Sequence, residues 1–99
     1  MFYISKVPNE KIRGEHAHIN CHQLLVMGSG SCTVNLDDGK KQQICNLKNI
    51  GDSIYIPPMV WAAQYNFTKD ALLLVLASDH YDEEDYIRNY EDFYFRKKI

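Results

Sequence analysis

Arg13-Gly14-Glu15-His16-Ala17-His18 is the segment in which residue type and spacing could do chemistry, with His22 following in the sequence. In a β-strand, side chains at i and i+2 share a face, so His16 and His18 project together. If that face is the interior of a barrel, two imidazoles line one cavity, where they suit proton transfer near neutral pH or metal ligation. The competing interpretation is a pair of surface histidines on a half-exposed strand. His22 fits an H-x-H-x3-[EH] ligand spacing, although a solvated turn is the commoner setting for such a residue. Arg13 could grip two oxygens of a phosphate or carboxylate, or be a solvated loop arginine. Trp61, Tyr65 and Tyr55 could offer flat surfaces to a sugar or base, whereas aromatics in barrel strands are ordinarily core. Gly28-Ser29-Gly30 lacks the third glycine and the following helix of a nucleotide loop and reads as a hairpin turn. His80 falls in the tail and is expected to be exposed. No Ser-His-Asp order or nucleophile elbow is present.

The elements that must position these residues are short runs of β-branched and aromatic residues separated by turn signals. Strands are expected near Phe2–Lys6, Glu15–Ile19, Gln23–Met27, Cys32–Leu36, Lys41–Leu47, Ser53–Ile56, Val60–Phe67 and Ala71–Ser78. Asp38-Gly39 between two such runs signals a hairpin, since both residues tolerate positive φ. The even spacing of short strands predicts an all-β sandwich or barrel, and the absence of βαβ alternation excludes a Rossmann-type sheet. The tail from Asp79 is acidic and tyrosine-rich. Asp82 is placed to cap a helix with Glu83, Glu84 and Asp85 in its first turn. Tyr86, Ile87, Tyr90 and Phe93 would form its apolar stripe, packed on the barrel or a second subunit.

The 99 residues make one domain, able to bury roughly two-thirds of the unfolded surface. With 11 basic and 13 acidic residues, a net charge of −2 and no long basic run, a nucleic-acid module working by bulk electrostatics is excluded. The apolar stretch Ala71–Ala77 is too short to span a membrane, and Met1–Lys6 lacks the pattern of a signal peptide. Cys21, Cys32 and Cys45 are odd in number and lack CxxC spacing, which implies reduced thiols and a cytoplasmic location.

His16, His18 and Gly28 match the first motif of the cupin superfamily. Gly51, Pro57 and Asn66 match the second, with Met59 in place of its Gly and Ala62 in place of its His. More specifically, the chain resembles the WxcM-like sugar-nucleotide 3,4-ketoisomerase family, which acts on dTDP-4-keto-6-deoxyglucose. Three segments carry that resemblance: Arg13–His18, Ser31–Gly39, and Val75–Arg88 with its V-L-A-S-x-x-Y-D-E-x-D-Y-I-R pattern. The chain departs at His22, where the family commonly has Glu, and at Ala62, where relatives commonly have His after Trp.

The resemblance implies an all-β cupin jelly-roll barrel with a short C-terminal helix: a single domain over 1–99 with a helical tail at 79–99. Family members usually carry further N-terminal strands before the position of Tyr3, which this chain is expected to lack. The implied partner is a nucleotide-linked 4-keto-6-deoxy sugar, in a homodimer with no cofactor and no metal, supplying deoxysugar for surface polysaccharide. By resemblance, His16 and His18 are the catalytic pair, while Arg13 and Tyr3 line the site. Arg13 would hold the diphosphate or the developing negative charge. Trp61 and Tyr65 join them as expected substrate contacts. Two alternatives stand beside the enzyme. One is a non-catalytic or truncated cupin that binds a sugar nucleotide or a partner subunit. The other is a metal cupin using His16, His18 and His22, disfavoured by Ala62.

Overall fold

The computed structural model describes residues 1–7 and 11–98. Among the described residues nine strands form in order: β1 (Phe2–Ser5), β2 (Arg13–His18), β3 (Gln23–Ser29), β4 (Cys32–Asp37), β5 (Gln42–Leu47), β6 (Ser53–Ile56), β7 (Trp61–Tyr65), β8 (Leu72–Ala77) and β9 (Tyr86–Ile87). A 3-10 turn at Glu83–Asp85 precedes β9, and helix α1 (Tyr90–Lys98) follows it. The strands pair antiparallel in two sheets, ordered β1-β8-β3-β6 and β5-β4-β7-β2-β9. This is the expected two-sheet jelly-roll barrel with a short C-terminal helix.

Alternation along each strand decides which side chains enter the barrel. On β3, Gln23, Leu25 and Met27 are buried while Leu24 is exposed; on β8, Leu73 and Val75 are buried. Leu25, Met27, Leu73 and Val75 meet Cys32 and Val34 of β4 and Ala62 of β7 in one apolar core. On β7 the other set, Trp61, Ala63 and Tyr65, is half-buried on the outer face. Outside that sheet a second cluster forms from Ala17, Ile87 and Phe93, with Trp61 packed against it. The β4–β5 hairpin closes as its sequence signals, but over Asp38–Lys41 and with only Gly39 at positive φ (+94°). Asp38 instead uses its carboxylate to accept from the amides of Lys40 and Lys41, an Asx-type turn.

The tail differs from expectation. Asp82 does cap, accepting from the Glu84 amide at 3.0 Å, but it caps a single 3-10 turn. Tyr86 and Ile87 then leave the helical path to pair with His18 and Ala17. Without them, the backbone groups on that edge of β2 would lack partners, and this cost overrides helical continuity. The helix starts only after Asn89, whose side-chain oxygen accepts from the Asp92 amide at 2.9 Å. The expected stripe is therefore split. Ile87 and Phe93 are buried together, Tyr86 turns toward the histidines, and Tyr90 lies against Trp61 and hydrogen-bonds Asp37. Ile99, the last residue of the expected tail, lies outside the described residues.

Phe93 is fully buried and fixes α1 to the outer face of the sheet. Phe93→Ala is expected to cost about 3–5 kcal/mol, read as a lower urea midpoint with an unchanged slope. An unchanged midpoint would show that α1 adds nothing to the fold.

Candidate active site

Two adjoining clefts open at one end of the barrel and share Phe2, Gln23 and Tyr86. The larger, about 600 Å³, is lined by His18, Cys21, Asp85 and residues of the segment Ala77–Asp82. The smaller, about 370 Å³, holds Arg13, His16, Gln64 and Arg88 over the barrel-core residues Leu25 and Val75.

Local backbone geometry brings Arg13 and His16 together. Three residues apart on a regular strand, they would point to opposite faces. Between Gly14 and His16 the pairing with β7 slips, so Arg13 faces Gln64, Gly14 faces Ala63 and His16 faces Ala62, with Glu15 as an extra residue. Such a bulge restores the parity and aims both side chains into the cleft. It requires positive φ at Gly14 (+84°) and Glu15 (+52°). A Cβ on Gly14 would also sit 2.9 Å from Gln64 Oε1 and 3.0 Å from the Ala62 carbonyl oxygen, so only glycine fits without displacement.

His16 and His18 share a face as the i, i+2 spacing predicts, with ring centroids 5.0 Å apart at 84°. Their environments differ. The Nδ1–H of His16 donates to the Gly14 carbonyl at 3.0 Å, which leaves Nε2 with the free lone pair. Burial lowers the His16 pKa below its ordinary 6.5, and the neighbouring His18 and Arg88 act in the same direction against the Gly14 hydrogen bond. The imidazole is thereby kept neutral and able to accept a proton. His18 is buried, and its Nδ1–H donates to Asp85 Oδ2 at 2.9 Å. Asp85 also accepts from the backbone amides of Asn20 (2.8 Å) and Cys21 (3.2 Å). Burial opposes its charge, but these hydrogen bonds prevail and hold the carboxyl below its ordinary range. The Nε2 of His18 is buried with no partner among the described residues.

Tyr86 packs beside both histidines, its ring 4.9 Å from that of His16 and 4.4 Å from that of His18. Burial pushes its phenol pKa up, outweighing the opposite pull of Arg88, so the hydroxyl keeps its proton. The Arg88 guanidinium carbon lies 4.2 Å from the centre of the Tyr86 ring, and Arg88 also pairs with Glu83.

The sequence-predicted residues are only partly brought together. His16, His18 and Arg13 all line the clefts. Tyr3 does not: Phe2 and Ile4 line the smaller cleft, and the intervening Tyr3 is 66% exposed. Trp61 and Tyr65 are likewise turned away, because the inward positions of β7 belong to Ala62 and Gln64. Trp61 instead packs edge-on against Tyr90, with ring centroids 5.3 Å apart, and near Phe93. The three-histidine metal set does not assemble either, since His22 stacks on Tyr55 and its Nδ1 lies 2.6 Å from the Tyr55 hydroxyl oxygen. His80 is exposed as expected, yet it lines the larger cleft. Residue reasoning missed Asp85, Tyr86, Arg88, Gln23 and Gln64. The two glutamines carried a readable signal, being polar at positions that alternate in register with core residues. Asp85, Tyr86 and Arg88 stood at fixed positions of the Val75–Arg88 motif, but nothing local joined Asp85 to His18, which it meets across 67 residues of sequence.

The His16 imidazole is expected to titrate below 6.5 in an NMR pH series. Since the unfolded chain binds that proton at a higher pH than the folded one, stability should fall as pH drops from about 6.5 through the lowered value. His16→Asn should flatten this part of the stability profile. An ordinary or raised His16 value would contradict the geometry.

Comparison with known proteins places these features. Residues 1–98 match the family model described as FdtA: WxcM-like, C-terminal. The chain is 44% identical over 93 residues to TDP-4-oxo-6-deoxy-alpha-D-glucose-3,4-oxoisomerase from Aneurinibacillus thermoaerophilus, covering 94% of this chain and 67% of that protein. It resembles the solved structure of WlaRA, a TDP-fucose-3,4-ketoisomerase from Campylobacter jejuni, with a TM-score of 0.93 and 42% identity over 97% of this chain and 71% of that one. QdtA, a sugar 3,4-ketoisomerase from Thermoanaerobacterium thermosaccharolyticum solved with TDP, gives a TM-score of 0.94 at 40% identity, covering 98% of this chain and 71% of that one. Among the described residues, no helix is long and apolar enough to cross a membrane.

Proposed function

We propose that this chain, which belongs to the FdtA family of WxcM-like C-terminal domains, is a sugar-nucleotide 3,4-ketoisomerase acting on dTDP-4-keto-6-deoxyglucose. The observation that carries this reading is the pairing of a neutral, half-buried His16 with an Asp85-anchored His18, both against Tyr86, beside a cleft that also holds Arg13 and Arg88.

The reaction moves the ketone from C4 to C3. The C3 proton is acidified by the adjacent carbonyl, since its removal leaves an enediolate. His16 Nε2 is the base for that step, because its Nδ1 is committed to the Gly14 carbonyl. The electron pair of the C3–H bond becomes the C3=C4 double bond, and the charge moves to O4. A proton then reaches C4 while O3 gives up its own and becomes the new carbonyl. In sum, one proton passes from C3 to C4 and one from O3 to O4, with no oxidant consumed. His18, oriented by Asp85, and the protonated Tyr86 stand beside His16 to handle the oxygen-borne protons. Arg13 and Arg88 supply positive charge for the diphosphate or the enediolate. Tyr3, Trp61 and Tyr65 have no part in this scheme.

The finer reading is a homodimer in the cytoplasm that supplies deoxysugar for surface polysaccharide. Tyr3, Leu24, Tyr55 and Leu76 support the dimer, as large apolar side chains left exposed on β1, β3, β6 and β8 of one sheet. Reduced thiols at all three cysteines fit the location.

Incubation with dTDP-4-keto-6-deoxyglucose in D2O, followed by NMR, should show loss of the C3 proton signal and growth of a 3-keto sugar. Sugar-nucleotide binding without exchange would mean a non-catalytic cupin. His16→Asn is expected to lower turnover by about 10²–10⁴-fold, the range for loss of a general base, with the fold retained. The acid limb of kcat/KM should lie below pH 6.5, following the lowered His16 value. A limb set above that value would assign the base elsewhere.

A further inference from the structure

We propose that His18, Cys21 and Asp85 form a binding site for a borderline-soft divalent cation of the zinc class, and that its occupancy removes the His18–Asp85 pair from proton transfer. One ligand atom from each residue lies within 4.8 Å of the other two, and among the described residues no other three histidine, cysteine or acidic side chains group in this way. The donor set is one imidazole nitrogen, one sulfur and one carboxylate oxygen, a mixture that suits zinc over calcium or magnesium. Ligand atoms around a tetrahedral zinc are roughly 3.3–3.6 Å apart, given bonds of about 2.0–2.3 Å. His18 Nδ1 and Asp85 Oδ2, 2.9 Å apart, need to part by a few tenths of an ångström, and the Cys21 sulfur, within 4.8 Å of both, needs to draw in.

The three groups are also chemically prepared. His18 and Cys21 are only 7% and 6% exposed, so neither must shed much water on binding. The only charge partner of the Asp85 carboxylate among the described residues is His18. Arg88, the nearest arginine in sequence, is engaged by Glu83. Cys21 makes only long sulfur contacts, 3.4 Å to the His22 carbonyl oxygen and 3.9 Å to Ser78 Oγ. The fourth position opens toward the larger cleft, where water can complete the set. The other thiols offer nothing comparable. Cys32 is sealed in the core against Met27, where burial pushes its pKa up to about 11, and Cys45 joins no such group.

Binding exchanges the His18–Asp85 hydrogen bond for two metal bonds. The cation takes the lone pair at His18 Nδ1, the imidazole proton moves to Nε2, and the Cys21 thiol releases its proton to water. His18 then presents N–H at Nε2 and can no longer accept a proton there. The binding claim stands on the cluster alone, whereas the inhibition rests on the isomerase reading.

The test uses the full chain stripped with a chelator. Zn2+ is titrated against a chromophoric competitor, and Co2+ is added separately as a spectroscopic probe. One equivalent should bind, with a sulfur-to-cobalt charge-transfer band. Cys21→Ser should lose the band and weaken Zn2+ by at least about tenfold, while Cys45→Ser keeps both. Binding unchanged in Cys21→Ser, or a band that disappears in Cys45→Ser instead, overturns the site. With sugar nucleotide present, saturating Zn2+ should suppress turnover of the parent chain and spare Cys21→Ser relative to its own metal-free rate. Turnover indifferent to bound Zn2+ overturns the inhibitory half. A metal-free chain with no turnover would count against the isomerase reading, and the cobalt band would still decide the site.

Discussion

The carboxylate of Asp85 accepts from the His18 imidazole and from the amides of Asn20 and Cys21, while its backbone carbonyl accepts from Ile19 at 2.9 Å. One acidic residue from the tail thus gathers the end of β2 and the turn beyond it. Everything at the mouth of the barrel depends on that junction. It fixes the tautomer of His18, starts β9 along the free edge of β2, and so brings Tyr86 against both histidines. A buried carboxylate without such donors would be costly. Satisfied by hydrogen bonds, it becomes the anchor around which the site is assembled.

The second constraint is the two-faced character of β2 and β7. Inward positions place His16, His18, Ala62 and Gln64 toward the barrel; outward positions give Ala17 and Trp61 to the cluster under α1. The same strands therefore build the site and hold the helix. The bulge at Gly14–Glu15 modifies this alternation by one residue, just enough to return Arg13 to the side of His16. The two imidazoles then diverge through their hydrogen bonds: one is tied to a neutral backbone carbonyl, the other to a carboxylate. Two residues of identical type thereby take different hydrogen-bond partners.

Much of the fold was legible. The strand runs, the Asp-Gly hairpin and the shared face of His16 and His18 all follow from local chemistry, and the motif segments pointed to the jelly roll. The failures came where local preference met a tertiary demand. Asp82 and the acidic residues after it form a sound helix start, yet the unpaired edge of β2 drew Tyr86 and Ile87 into a strand. Trp61 and Tyr65 had the right chemistry to contact a sugar but the wrong parity on β7, and Tyr3 had the wrong parity on β1.

By itself, the sequence determined an all-β sandwich or barrel with His16 and His18 on one face of a strand, because period-two alternation and turn chemistry are local properties; alternation alone would have turned Arg13 away from His16. Only the tertiary structure decided that burial lowers the His16 pKa, that Asp85 orients His18, and that Tyr86, Arg88, Gln23 and Gln64 share the clefts. Those relations join residues far apart in the chain, and the energies that set them, burial and paired hydrogen bonds, exist only once the sheets have closed.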